Sequence, residues 1–258
     1  MASHERLSIR RSIVGQSEHA SQCRLQIMSC QAGNLRARLE NMFITFTNTK
    51  GGVGKSTLSC HLAIWLFDRG YRVALLDTDP QGSSSEWMRN AEPGITVRVT
   101  SDSDAIQTAR NELMAAHDFV IADAPGAEGG AANAVTMLAD LAVLPLEPTA
   151  LCVRALKDAL KTIRLSQTVR EGKPETVLVL NKVNKRSRRT ATLKKQLRTS
   201  GFRVAESELR WLDAIAESCD SAVTRETAPK YAGGAMDMEA LFVELMAGRL
   251  SDRIAANE

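Results

Sequence analysis

Residues 48–57 read NTKGGVGKST: Asn48-Thr49-Lys50-Gly51-Gly52-Val53-Gly54-Lys55-Ser56-Thr57. This stretch nearly matches the phosphate-loop pattern G-x-x-x-x-G-K-[ST]. It departs at the first position, where Thr49 stands in place of glycine, and it carries a second lysine, Lys50. Gly51, Gly52 and Gly54 let the backbone approach a polyphosphate and turn N–H groups toward it. A helix that follows adds the positive end of its dipole. Lys55 suits β- and γ-phosphates, the Ser56 hydroxyl suits Mg²⁺, and the Thr57 hydroxyl can reach an α-phosphate. The run Gly51, Gly52, Val53, Gly54, Lys55, Ser56, Thr57 therefore reads as one nucleotide-binding loop. A chance glycine-rich turn is the competing reading. It lacks what is found here: an apolar strand before (MFITFT, 42–47) and a helical stretch after (STLSCHLAIWLFDRG, 56–70).

Two further strand ends carry matching chemistry. YRVALLDTD (71–79) is an apolar strand that runs into DTDPQG (77–82), which places Asp77 and Asp79 at i and i+2. Mg²⁺ binds through one or two carboxylates and keeps its waters, so one aspartate near an ion and one near an attacking water is reasonable. An Asp-Pro turn explains the same residues without a ligand. DFVIADAPG (118–126) ends an apolar strand in Asp123, a second candidate for the ion, and Gly126 lets its loop come close to a phosphate. Each signal is weak alone. In this order they predict a Mg²⁺-dependent nucleoside triphosphate site at the carboxyl ends of parallel strands.

From Met42 onward the pattern alternates strand and helix. Helices are predicted over 83–90, 104–116, 150–171, 190–200, 211–219 and 236–250, and strands over 95–99, 141–148, 175–183 and 202–207. Continuous apolar strands alternating with helices predict a mostly parallel twisted sheet covered on both faces, in one α/β phosphate-loop domain. The composition agrees, with 44% hydrophobic, 24% charged and only 4% aromatic residues in 258. Trp65, Trp87 and Trp211 read as packing residues, and His61 and His117 as structural or surface histidines.

KGGVGKST, DTDPQ and DAPG, in this order, resemble the deviant Walker ATPases of the ParA/MinD superfamily. The likeness is to the short ParA type of plasmid and chromosome partition, over residues 42–258. It implies that Lys50 reaches across a nucleotide-sandwich homodimer to the partner's phosphates. On that reading the loop is a variant type rather than a broken one. It also implies that Lys55 holds the chain's own phosphates, Ser56 ligates Mg²⁺, and Asp77 and Asp123 lie near the ion. Asp79 would position the water, and Asn181, at the end of ETVLVLNKV, would contact adenine. The implied cycle is ATP-driven dimerisation, sequence-independent DNA binding by the dimer, and release when a ParB-like or centromere-binding partner stimulates hydrolysis. Relatives that position carboxysomes, chemoreceptor arrays or division machinery make a protein cargo the alternative.

The remaining features sort among these readings. Lys182, Lys185, Arg186, Arg188, Arg189, Lys194, Lys195, Arg198 and Arg203 form a run that no acid interrupts. Arg186, Arg188, Arg189, Lys194, Lys195 and Arg198 are candidates for phosphate contacts to DNA, against the plainer reading of a solvated helix face. Residues 1–41 hold six arginines and three glutamates, which accounts for the chain's net charge of +3. They read as a basic, disordered arm, with a targeting leader or a true start at Met42 as alternatives. The five cysteines show no metal spacing, which fits free thiols in a reducing cytoplasm. An iron-protein reductase would need a cysteine near DAPGAEGGAANAV, where none occurs. No apolar run is long enough to span a bilayer, and the end GRLSDRIAANE does not make the cationic amphipathic tail of a membrane-binding relative. A small-molecule ligase or kinase on the same scaffold would need a substrate pocket that the sequence does not reveal.

Overall fold

Short runs such as VALLD and FVIAD expose nothing to solvent, and only a strand covered on both faces can be this uniformly apolar. A computed structural model describes residues 41–127, 129–184, 187–211, 213, 215 and 221–250, without the side chains of 150–155, 158 and 188. Apart from Asn41, the predicted N-terminal arm lies outside the described residues.

The elements alternate as predicted: β1 (Met42–Phe46), α1 (Lys55–Phe67), β2 (Val73–Asp77), α2 (Ser83–Ala91), β3 (Thr96–Val99), α3 (Ser103–Ala116), β4 (Phe119–Asp123), α4 (Gly130–Leu138), β5 (Leu141–Leu146), α5 (Ala150–Val169), β6 (Glu175–Leu180), α6 (Arg188–Thr199) and α7 (Ala232–Met246). The six strands make one sheet in the order β3-β2-β4-β1-β5-β6, and every pairing is parallel. One face presents Phe43, Leu76, Val120, Leu144 and Leu178 to α3, α4, α5 and α6. Buried α1 and α7 residues such as Leu62, Leu66, Leu241 and Phe242 serve the other side. Each such side chain contributes about 1.5–3 kcal/mol on burial, so the two layers rather than any local signal hold the sheet.

The register positions the chemistry. Phe46 pairs with Asp123, and Asp123 pairs with Asp77, so both carboxylates stand at the same level beside the end of β1. The chain order reverses across β1, with β4 on one side and β5 on the other. The loops after these strands therefore open the crevice in which doubly wound sheets bind ligands.

Two expectations need correction, and one helix was not predicted. The strand predicted over 202–207 forms only a single bridge, Val204 to Leu178. The chain follows β6 as an irregular edge as far as Arg210, because the amides of Glu206 and Ser207 donate to the Glu244 carboxylate of α7 instead of to a neighbouring strand. Helix α4, GAANAVTML, has no counterpart among the predicted helices, since glycines at its start disguise it as loop. Helix α7 starts at Ala232, four residues before the predicted start. A side-chain carbon on Gly234 would meet Ile215 and Val223 at 3.1 Å, so a helix former is excluded from that turn by packing. The helix predicted over 211–219 falls mostly outside the described residues.

His61 is a structural histidine. It is fully buried in α1, its Nδ1 lies 2.7 Å from the Thr57 carbonyl, and its Nε2 accepts the Val223 amide at 3.1 Å. Those contacts require the neutral ring with the proton on Nδ1, and burial pushes its pKa down to about 4.

Candidate nucleotide-binding site

The loop from Asn48 to Gly54 is held from three sides. The Asn48 side chain donates to the Pro145 carbonyl at 2.8 Å and accepts the Lys50 amide at 3.1 Å. The Asn181 side-chain amide donates to the Val53 carbonyl at 2.8 Å. Lys182 Nζ donates to the Gly52 carbonyl at 2.6 Å and pairs with Glu147 at 2.9 Å. Asn48, Lys182 and Glu147 were not legible as loop anchors. Lys182 in particular is a member of the basic run by sequence, yet its ammonium serves the loop. Gly54 sits at φ 95 as the residue before α1, a left-handed conformation that glycine adopts without strain. A side-chain carbon there would lie 2.4 Å from Asn181 Nδ2. Gly54→Ala is expected to cost about 1–3 kcal/mol through backbone strain and displacement of Asn181, read as a lower denaturant midpoint.

Lys55 opens α1, which directs the free N–H groups of its first turn toward the loop. Its side chain is buried, and burial lowers its pKa while Asp123 and Asp79 work against the shift. The DAPG loop comes close as well: a carbon added to Gly126 would stand 3.4 Å from both Lys55 Nζ and Gly51 Cα. Ser56 and Thr57 follow on the same turn, half-buried.

The three aspartates have different duties. Asp77 is fully buried and each of its oxygens already accepts a backbone amide, from Asp79 at 3.1 Å and from Ser85 at 2.8 Å. It organises the turn into α2 and has only its remaining lone pairs to offer an ion. Asp79 lies just past the end of β2, half-buried, and accepts the Gln81 amide at 2.9 Å. Asp123 is fully buried, and its Oδ1 accepts the Ser59 hydroxyl at 3.3 Å. Its Oδ2 has no hydrogen-bond partner, and neither has the buried Ser84 hydroxyl. Burial pushes the Asp123 carboxyl up to about 6, while the nearby Ser56 hydroxyl acts in the opposite direction and Asp77 adds to the rise.

An unpartnered buried carboxylate oxygen close to a serine hydroxyl is what a hard cation with oxygen ligands would complete. Among the described residues no three His, Cys, Asp or Glu side chains converge to hold a metal by themselves. The donor set thus fits Mg²⁺, which takes few protein ligands and completes its shell with waters and phosphate oxygens. It does not fit a closed protein metal cage.

Lys50 is exposed at the tip of the loop. The cleft on the other side of the loop is bounded by Gly54, Thr57, Asn181, Lys182 and Trp211. Trp211 is not the packing residue its sequence context predicted: it is 63% exposed, with Lys182 Nζ 4.9 Å from its ring centre. Trp65 is buried, as expected, and its indole donates to Glu239 at 2.6 Å.

The basic run is less free than it reads. Lys194 pairs with Glu208 at 3.2 Å and with Glu206, and Arg198 pairs with Glu206 at 2.5 Å. Both acids lie beyond the run, on the segment that folds back beside α6. Arg189 and Lys195 are exposed on α6. Arg186 and the side chain of Arg188 lie outside the described residues.

Comparison with known proteins identifies this architecture. The family model described as the CobQ/CobB/MinD/ParA nucleotide binding domain matches residues 44–224, and the chain belongs to this family. It is 29% identical over 174 residues to maintenance of carboxysome distribution protein A of Halothiobacillus neapolitanus, covering 65% of this chain and 78% of that protein. It is 27% identical over 172 residues to protein ParA of Rhizobium radiobacter, covering 64% and 77%. Among solved structures, cobyrinic acid a,c-diamide synthase of Mycobacterium smegmatis, holding an ATP analogue and magnesium, aligns with a TM-score of 0.62 at 20% identity, over 81% of this chain and 97% of that one. The ATP complex of a Cyanothece McdA variant aligns with a TM-score of 0.60 at 13% identity, over 79% and 97%. These structural likenesses concern the fold. No helix among the described residues is long and apolar enough to cross a membrane.

Proposed function

We propose that the chain is a Mg²⁺-dependent ATPase of DNA partition that works as a nucleotide-gated dimer. The observation that carries this is the division of labour between its two loop lysines. Lys55 is buried facing Asp123 and Asp79, whereas Lys50 is exposed at the loop tip and available to a second molecule. On this reading Gly51–Thr57 cradle the polyphosphate, Lys55 neutralises it, and Asn181 borders the base. Ser56 and Asp123 would hold the ion, with Asp77 fixing the turn behind them. Bound Mg²⁺ would polarise the terminal phosphoryl group. Asp79 would orient the attacking water and accept its hydrogen bond. On this reading turnover is slow until a partner completes the site.

The relatives support two cargoes. Protein ParA favours DNA partition, with a ParB-like or centromere-binding stimulator. The carboxysome distribution protein favours the same switch moving a protein assembly along the nucleoid. ATPase rate with and without duplex DNA, and with the product of the neighbouring gene, tests the reading. Stimulation by DNA together with a small DNA-binding neighbour supports partition. Stimulation by a small molecule alone would overturn it.

For the DNA surface, Arg189 and Lys195 carry the proposal, beside Arg186 and Arg188. Lys194 and Arg198 contribute less because Glu206 and Glu208 neutralise them. Arg189→Glu with Lys195→Glu is expected to lower the slope of log affinity against log salt by about 2 and to weaken all sequences alike. A filter-binding series over salt, made with nucleotide present, checks this.

A further inference from the structure

A groove that the nucleotide site does not use runs between α5 and α6. Leu156, Leu160, Leu197 and Phe202 line about 470 Å³ of it. A continuation of about 330 Å³ passes Ile163, Thr176 and Leu178 toward Arg203. This is the size range of a ligand cleft rather than of a packing defect. Along one edge stand Lys157, Lys161 and Arg164, spaced i, i+4 and i+7 on α5 and all exposed. No acidic residue lines either stretch among the described residues. Lys157 and Arg164 enter no ion pair among the described residues, in contrast to Lys194 and Arg198 across the groove on α6.

We infer that this groove docks an acidic amphipathic helix of a partner protein. The cations alone would suit any polyanion, but duplex phosphates have nothing to place in an apolar channel. An amphipathic helix does, with Leu- or Phe-type anchors one turn apart in the channel and glutamates along the edge that Lys157 and Arg164 mark. A second copy of this chain would bring the same cationic edge against its twin. Residues 1–41 carry excess arginine and match no better. The groove contains no residue of the phosphate loop, so the inference stands apart from the nucleotide reading. Its rim helix also lends Lys161 to the cleft that Thr49 and Ala127 line.

Fluorescence anisotropy on the full chain tests this with three labelled probes. One is a helical peptide of about 16 residues, some four turns, with leucines at i, i+3, i+4 and i+7 flanked by glutamates. The second is its scrambled composition, and the third is duplex DNA. The patterned peptide is expected to bind at least tenfold more tightly than the scrambled one. Lys157→Glu with Arg164→Glu should weaken it at least tenfold, and Phe202→Ala should weaken it without changing DNA binding. Circular dichroism melts establish that both variants fold, and Lys157→Gln with Arg164→Gln repeats the test with charge removal only. Equal binding of patterned and scrambled peptides, or no binding of either, overturns the inference. Loss of DNA binding with peptide binding intact in the charge-reversed variant overturns it in favour of a nucleic-acid surface.

Discussion

Asp123→Asn is expected to make the ligand-free protein more stable while removing its hydrolytic activity. The Asp123 carboxyl is raised to about 6 by burial, and its Oδ2 has no partner. Its folded pKa lies above that of the unfolded chain. The native state therefore takes up a proton that the unfolded state refuses as pH falls from about 6 to 3.8, and the contribution of the group is lost as pH rises through that window. Above pH 6 the ionised, buried carboxylate costs on the order of 3 kcal/mol, which asparagine does not. The stability difference between variant and wild type should be near that value at pH 7–8 and shrink to nothing below pH 4, in urea titrations with a chelator present. His61 works in the other direction. Its folded pKa of about 4 lies below the ordinary 6.5, so its contribution is intact above pH 6.5 and is lost as pH falls toward 4. In wild type the two slopes oppose each other between pH 4 and 6. In Asp123→Asn the histidine slope stands alone, at about 1.4 kcal/mol per pH unit. Turnover should meanwhile fall about 100-fold or more, the scale of removing one preorganised electrostatic group. A variant no more stable than wild type at pH 8 would mean that the carboxylate is already compensated within the folded chain.

Lys50→Ala should separate binding from activation. Lys50 is exposed, and the loop's inward contacts are made by Lys55, Asn181 and Lys182. Nucleotide affinity of the monomer should stay within about threefold. Stimulated turnover should fall by a factor of roughly 1,000, the scale on which a cation supplied across an interface acts in phosphoryl transfer. Lys55→Ala should instead lose nucleotide affinity itself. Calorimetry and a stimulated ATPase assay distinguish the two. Full stimulation in Lys50→Ala would remove the role of this lysine in a second molecule's site.

The features legible beforehand are those written locally. Glycines, a lysine and hydroxyls between an apolar strand and a helix mark the phosphate loop. Apolar runs that end in Asp77 and Asp123 mark the neighbouring strands, and their shared level in the sheet follows from parallel pairing. What stayed hidden depends on contacts between distant segments. The glycines that open α4 and the first turn of α7, Gly130 and Gly234, are accommodated by packing that is not local, against Ser103 and against Ile215 and Val223. The edge at 203–211 keeps backbone bonds to β6 and Val183 but is interrupted at Glu206 and Ser207, whose amides turn to Glu244, a residue of the last helix. Lys182 belongs by sequence to a basic run and by structure to the loop, since Gly52 and Glu147 approach it from other elements. Lys194 and Arg198 read as free cations because Glu206 and Glu208 enter only when the chain folds back. The apolar groove beside α5 could not be read at all, since its walls come from two helices and the loop between them and the sheet edge.

A dimer made by nucleotide is the centre of the proposed mechanism, and mass in solution tests it most directly. Sedimentation equilibrium of the full chain with Mg²⁺ and a non-hydrolysable ATP analogue should give twice the mass found with ADP, and Lys50→Ala should stay at the single-chain mass in both. An unchanged mass with the analogue, under conditions where calorimetry shows it bound, would contradict the mechanism.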